Sequence, residues 1–147
     1  MGFVVDTSYI GGIRTANYST EKLLVFNNQF TTGTATNDSG DAVVLPIGTI
    51  MGRVASSGEL IPLQSDAEDG SQYPVGLLLT DYSFADGESK SVQLVVAGEV
   101  NANLLAFAKE GDDLDTVIEG KQLRDRLAGD TVGLNLRFPD ELSKFDN

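Results

Sequence analysis

From Ala42 to Gln64 the chain reads AVVLPIGTIMGRVASSGELIPLQ, a series of short apolar runs interrupted by glycine and proline. Runs of this length, rich in Val, Ile and Leu, predict strands rather than helices. Ser56-Ser57-Gly58 sits between two of them and predicts a hairpin turn. Pro46 and Pro62 lie inside apolar runs, where each removes a backbone donor, so these strands are expected at edges or in bulged segments. Gly48 and Gly52 flank Thr49-Ile50-Met51 and predict bends or close backbone approach. The expectation is a body of small, kinked β elements.

Working outward, Glu21 to Phe30 (EKLLVFNNQF) reads as a strand and Thr31 to Asp41 as a turn-rich loop. Ser65 to Ser71 (SDAEDGS) is an acidic turn. It fails the spacing of a calcium loop, which needs alternating acids, a glycine at the sixth position and a glutamate at the twelfth. Tyr73 to Thr80 reads as a buried strand, Tyr82 to Glu88 as a second acidic loop, and Ser91 to Val100 as another strand. Helix formers predict a helix over about 102–109. Asp112 or Asp113 is placed to cap a second over about 113–128, with Leu114, Val117, Ile118, Leu123 and Leu127 on one side. Gly120 weakens that helix by about 1 kcal/mol. Alternation of Val132, Leu134, Leu136 and Phe138 predicts a last strand, ended by Pro139. The fold class expected is mainly β with a small α component. It comprises an N-terminal arm over 1–20, one β-rich domain over 21–138 and an acidic tail over 139–147.

Composition removes most chemistry. The chain has 147 residues, 10 Lys plus Arg against 22 Asp plus Glu, a formal net charge of -12, and no His, Cys or Trp. Without Cys there is no disulfide framework, thiolate metal site or thiol nucleophile. Without His there is no imidazole base and no usual zinc constellation. Neighbouring acids at Glu68-Asp69, Asp112-Asp113 and Asp140-Glu141 lie in loops or at element ends, where side chains diverge into water. No P-loop, dinucleotide fingerprint or nucleophile elbow is present. No catalytic, cofactor-binding or metal-binding residue is therefore expected. An isoelectric point near 4.1 with no basic cluster argues against nucleic acid and anionic membrane as partners. The first residues lack the basic and apolar regions of a signal peptide, so a soluble product retained where it is made is expected.

The acid is unevenly spread. Residues 66–88 hold six acids and no base, and residues 110–147 hold ten acids against five bases. Residues 1–20 are nearly neutral yet carry Phe3, Val4, Val5, Tyr9, Ile10 and Ile13. They read either as an arm packed on its own domain or as one that orders on a partner. Loops 66–70 and 81–88 are expected to face solvent.

Five pieces in order carry a resemblance: Gly48-Thr49-Ile50-Met51-Gly52-Arg53-Val54, the Gly58-turned hairpin ending at Pro62, Asp69-Gly70-Ser71, the strand opened by Pro74-Val75-Gly76, and the strand leading to Gly98-Glu99-Val100. Over about residues 40–105 this succession resembles the bacteriophage lambda-type head decoration proteins. The resemblance implies a β-clip-like body with an extended N-terminal arm, and a homotrimer seated at three-fold sites on the outer surface of the expanded capsid, which it stabilises. It implies no catalysis and no cofactor. The implied partners are the major capsid protein and further copies of the chain, with no direct nucleic acid contact and no membrane. The arm, with Phe3, Val4, Val5, Tyr9, Ile10 and Ile13, is implied as the capsid-binding segment. The implied location is the virion, after synthesis in the host cytoplasm. The alternatives are another virion accessory, of tail or fibre, and a trimeric ligand-binding or hydrolase protein of the β-clip type; the glycine-rich phosphate and uracil motifs of the latter are not found.

Overall fold

A computed structural model describes residues 23–130 and 134–138 of the chain. Among these residues ten strands dominate: β1 (Leu24–Thr36), β2 (Val43–Leu45), β3 (Ile50–Arg53), β4 (Leu60–Pro62), β5 (Pro74–Leu78), β6 (Tyr82–Phe84), β7 (Ser89–Val100), β8 (Val117–Ile118), β9 (Lys121–Gln122) and β10 (Asn135–Arg137). The main sheet runs β1-β4-β3-β5-β7-β10, and β1 also pairs with β7, which closes five of its strands into a small barrel. The closing β1–β4 contact is a single parallel pair, Ala35 with Leu60. Beside it Thr36 donates from Oγ1 to the Glu59 carboxylate at 2.9 Å. β2 and β6 form a two-stranded flap.

Adjacent residues on the central strands serve two different cores, because successive side chains leave a strand on opposite faces. Met51, Leu78 and Leu94 join Ala35, Leu60, Phe84 and Val92 in one cluster. Their neighbours Ile50, Leu77 and Val95 join the other, which is filled by Leu114, Ile118, Leu123, Leu127, Leu136 and Phe138 from the C-terminal segment. Strands buried on both faces carry apolar residues without alternation, which is why the sequence shows unbroken runs here. Leu123, Leu127 and Leu136 are all fully buried. Truncating any one to Ala is the kind of change that costs about 2–5 kcal/mol.

The hairpin predicted at Ser56-Ser57-Gly58 joins β3 to β4 in antiparallel register, with Met51 opposite Pro62 and Arg53 opposite Leu60. Gly48 and Gly52 are places of close backbone approach. A Cβ on Gly52 would lie 2.1 Å from the Ser71 carbonyl oxygen, and one on Gly48 would lie 1.9 Å from that of Leu104. The Asp69-Gly70-Ser71 turn is thus laid directly over β3. Asp69 Oδ1 accepts from the Ser71 backbone N–H at 3.0 Å and from its hydroxyl at 2.6 Å, while the Asp69 carbonyl accepts from Ala55 N–H at 2.8 Å. The two Ser71 bonds hold the Asp69 carboxyl below its ordinary pKa, the hydroxyl contributing most.

Four expectations are corrected. The acidic loop expected over Tyr82 to Glu88 opens with a strand, β6, because Tyr82 to Phe84 pair with Leu45 to Val43, and Phe84 is buried. The strand expected to end at Phe30 continues to Thr36, because Thr31 to Thr36 pair with Leu94 to Ser89. A run of threonines reads as turn chemistry, yet threonine is also a good strand former when a partner strand is present. The helix expected over 102–109 is only a 3-10 turn at Ala102–Leu104, whose Asn101 cap accepts from Asn103 N–H. The helix expected over 113–128 is confined to its second half, with an α-helical turn at Leu123–Asp125 and a wider turn at Arg126–Asp130. Asp113 does cap, but only one turn, accepting from Asp115 N–H at 2.8 Å. Glu119 and Gly120 then both adopt positive φ, 50° and 87°. That is the conformation of a tight hairpin turn, and it makes strands of Val117-Ile118 and Lys121-Gln122 where a helix was expected.

Gly52→Ala is expected to destabilise the fold by roughly 1–3 kcal/mol, since backbone must move to admit one methyl group. The check is the denaturant midpoint at unchanged m-value; a midpoint equal to wild type would show that the Ser71 turn is not held against β3.

Candidate functional site

The six arm residues singled out from sequence, Phe3, Val4, Val5, Tyr9, Ile10 and Ile13, lie outside the described residues. The described structure begins where that segment joins the body. Leu23 is 2 % exposed, and its carbonyl accepts from Asn101 N–H at 2.9 Å, so the chain is fastened at this point.

Immediately beyond the fastening, β1 presents large apolar side chains to solvent: Val25 at 52 %, Phe26 at 67 % and Phe30 at 49 % exposure. The local backbone explains this. The β1–β7 register shifts between Leu24 and Phe26, between Phe26 and Gln29, and again between Gln29 and Phe30. Asn27 takes a left-handed φ of 55°. Asn28 turns its amide onto β7, donating to the Glu99 carbonyl at 3.0 Å and the Ala97 carbonyl at 3.4 Å. The bulge breaks the in-out alternation, so Val25 and Phe26 are both left outside. The sequence predicts a strand here and does not foretell the exposed set. The available signal was two adjacent bulky residues, Val25-Phe26, followed by Asn27-Asn28, a pair suited to a bulge.

A second surface feature is an apolar cleft of about 300 Å³ between the flap and the barrel mouth, walled by Ala35, Val43, Leu45, Met51, Leu60 and Phe84. Asn37 closes one end. Its amide donates to the carbonyls of Asp41 at 2.7 Å and Ala85 at 3.1 Å, and its oxygen accepts from Ser39. That side chain is 7 % exposed and fully engaged, so the Asn37-Asp38-Ser39 sequon serves to fold the loop. The cleft offers mainly apolar contact, with Thr36, Asp38, Ser39 and Gln64 as the polar residues of its lining beside Asn37.

The polar network of the C-terminal hairpin is the best-developed constellation of titratable groups. Tyr73 donates its hydroxyl to Glu119 in a short hydrogen bond, and Gln72 donates to the same oxygen at 3.4 Å. Arg126 stands 5.1 Å from the centre of the Tyr73 ring and donates to the Ile118 carbonyl at 3.1 and 2.5 Å. The hydrogen bond from Tyr73, then that from Gln72, lowers the Glu119 carboxyl below its usual range. The same bond to Glu119 raises Tyr73 above the ordinary tyrosine value. Both groups are pushed away from neutrality, the opposite of what general acid or base work requires. Among the described residues no group of three or more His, Cys, Asp or Glu is arranged to hold a metal ion. No helix among them is long and apolar enough to cross a membrane. The acids of the two loops expected at the surface are exposed, and Asp81 also accepts from Ile47 N–H at 2.6 Å.

Compared with known families, the chain matches the model of the bacteriophage lambda head decoration protein D over residues 15–125. The chain belongs to that family. It is a phage head decoration protein, of a structural rather than an enzymatic family, and its place is the capsid of the virion. No curated protein matches the chain. The family match takes in every barrel strand, the Gly52 and Asp69-Gly70-Ser71 contact, and the hairpin over 117–122.

Glu119→Gln tests the hairpin network through pH. A carboxylate with a depressed pKa contributes stability above the carboxylate range and loses it as pH falls; a tyrosine with a raised pKa contributes below the tyrosine range and loses it as pH rises. The melting-temperature gap between wild type and variant is therefore expected to be level at neutral pH, closing below about pH 4 and above about pH 10. A gap that persists unchanged into acid would remove the Tyr73–Glu119 bond as its source.

Proposed function

We propose that this decoration protein binds as a homotrimer to the outer surface of the expanded capsid at its three-fold sites and stabilises the shell there. Membership of the head decoration family is the observation that carries this reading. The major capsid protein is the partner, and residues 1–20 are the capsid-binding arm, with Phe3, Val4, Val5, Tyr9, Ile10 and Ile13 as its apolar anchors. The protein is made in the host cytoplasm and functions without catalysis, cofactor, nucleic acid or membrane.

The physical chemistry of the chain supports each part. An extended apolar segment suits strand addition, in which main-chain bonds supply affinity and alternate side chains specificity. Residues 1–20 hold one acid, Asp6, and one base, Arg14, within a chain of net charge -12, so this segment meets a partner with the least electrostatic cost. Three arms on one rigid trimer act together, and modest affinity of one becomes strong avidity of three. A ligand that binds the expanded shell and not its precursor shifts the balance toward the expanded state by mass action. An acidic outer layer also repels loose nucleic acid.

Deleting residues 1–20 is expected to leave a folded trimer that no longer sediments with expanded heads. Replacing Phe3, Val4 and Val5 together by Ser is expected to weaken binding at least tenfold with an unchanged melting temperature. Full binding by the deletion would contradict the arm's role. A lowered melting temperature with intact binding in the triple variant would show that these residues pack on their own trimer.

A further inference from the structure

The exposed flank of β1 has features that point to one occupant. From Leu23 to Asn37 the sequence contains no charged residue, although the chain as a whole has 22 acids and 10 bases. Along this stretch stand Val25, Phe26 and Phe30, three of the five large apolar side chains most exposed among the described residues. One edge of β1 is paired with β7 along its length, from Leu24 with Val100 to Thr36 with Ser89. Among the described residues its other edge meets a strand only at Ala35. Exposed strand edges are ordinarily guarded by lysine, proline or short length. β1 has 13 residues with none of these guards on it.

We infer that this uncharged flank of β1, with Val25, Phe26 and Phe30, is the surface through which copies of the chain meet. The inference rests on the homotrimer proposed above and names the face that forms it. Charge selects the occupant. Two copies at -12 repel one another over most orientations, and the approach that brings fewest acids together is the one along a strand that contributes none, with Glu99 opposite Phe26 and Glu59 beside Thr36 the acids nearest to it. Position agrees with the selection. β1 follows directly on residues 1–22, so contact along it gathers the three arms at one place, which is what their joint action on a capsid requires. The bulge at Asn27 and Asn28 then has a purpose, since it turns Val25 and Phe26 outward together.

The test is the mass of the full-length protein in solution, by light scattering and sedimentation equilibrium across a concentration series. The expected wild-type mass is three times that of the chain. Phe26→Asp combined with Phe30→Asp is expected to run at single-chain mass with an unchanged far-ultraviolet circular dichroism spectrum, its association weakened by roughly a hundredfold or more. Because the natural chain has no cysteine, a single Cys reports proximity without interference. Gln29→Cys, exposed on the same strand, is expected to form interchain crosslinks rapidly, and Asp86→Cys in the β6–β7 turn is expected to form few; this comparison decides the matter even if the double aspartate variant fails to fold. A wild-type single chain, or a double variant that keeps the wild-type mass, would overturn the inference. So would crosslinking no faster at Gln29→Cys than at Asp86→Cys. Unchanged mass with a lowered melting temperature would mean that the strip is covered by the chain's own residues 1–22, and the inference would fall. Failure of the decoration reading is separate: it would appear as a trimer that responds as stated and ignores expanded heads.

Discussion

The pairing of β1 with β7 is the constraint on which the rest of the structure depends. These strands of 13 and 12 residues pair from Leu24 with Val100 to Thr36 with Ser89, joining the first described strand to the last strand of the barrel proper. Without that ladder the order β1-β4-β3-β5-β7-β10 is an open sheet in which β1 is held only by the Ala35–Leu60 pair. With it the sheet closes, and one face becomes an interior that Met51, Leu60, Leu78, Val92 and Leu94 can fill. Closure is marginal at its other seam, a single pair between Ala35 and Leu60, so the long ladder must hold the geometry. Polar pairs at its open end, such as the 2.7 Å hydrogen bond between the hydroxyls of Thr36 and Ser89, fix the register there.

Closing the sheet leaves its outer face apolar, and the C-terminal segment exists largely to cover it. Leu114, Ile118, Leu123, Leu127, Leu134, Leu136 and Phe138 come from a turn, a hairpin, a helical segment and a last strand, yet they bury against one surface formed by Ile50, Leu77, Val95 and Val100. Bonds such as Leu123 N–H to the Thr116 carbonyl at 2.8 Å and Arg124 N–H to that of Leu114 at 3.1 Å tie these short pieces to one another. The result is a sheet covered on both faces, with every described acid except Glu99 outside the strands. Such a body suits a head decoration protein, because little binding energy is lost to ordering the scaffold on docking.

The strands were legible in the sequence wherever short apolar runs met turn chemistry, and the close contacts at Gly48 and Gly52 were legible as glycines four apart. What could not be read depended on partners distant in the chain. Thr31 to Thr36 become strand because β7 lies beside them, some sixty residues later. The segment over 113–122 has apolar positions that satisfy a helical spacing as well as a hairpin, and the deciding fact is the left-handed backbone at Glu119 and Gly120. Local propensity does not foretell a glutamate in that conformation, which is favoured here by the Tyr73 and Gln72 bonds to its carboxylate. The family was legible because its signature is an order of turns and glycines, each with a backbone reason. The exposed Val25, Phe26 and Phe30 were not, since a strand prediction assumes alternation and the bulge at Asn27-Asn28 abolishes it.

Where the protein sits on a capsid is the most direct test of its proposed role. Expanded heads of the parent phage, reconstructed by electron cryomicroscopy with and without the full-length chain, would show it. Expected is added density on the outer surface at three-fold positions, each large enough for three copies of the barrel, with continuous density from the start of β1 into the shell. Added density of one copy, density elsewhere on the lattice, or no difference between the two reconstructions would contradict that role.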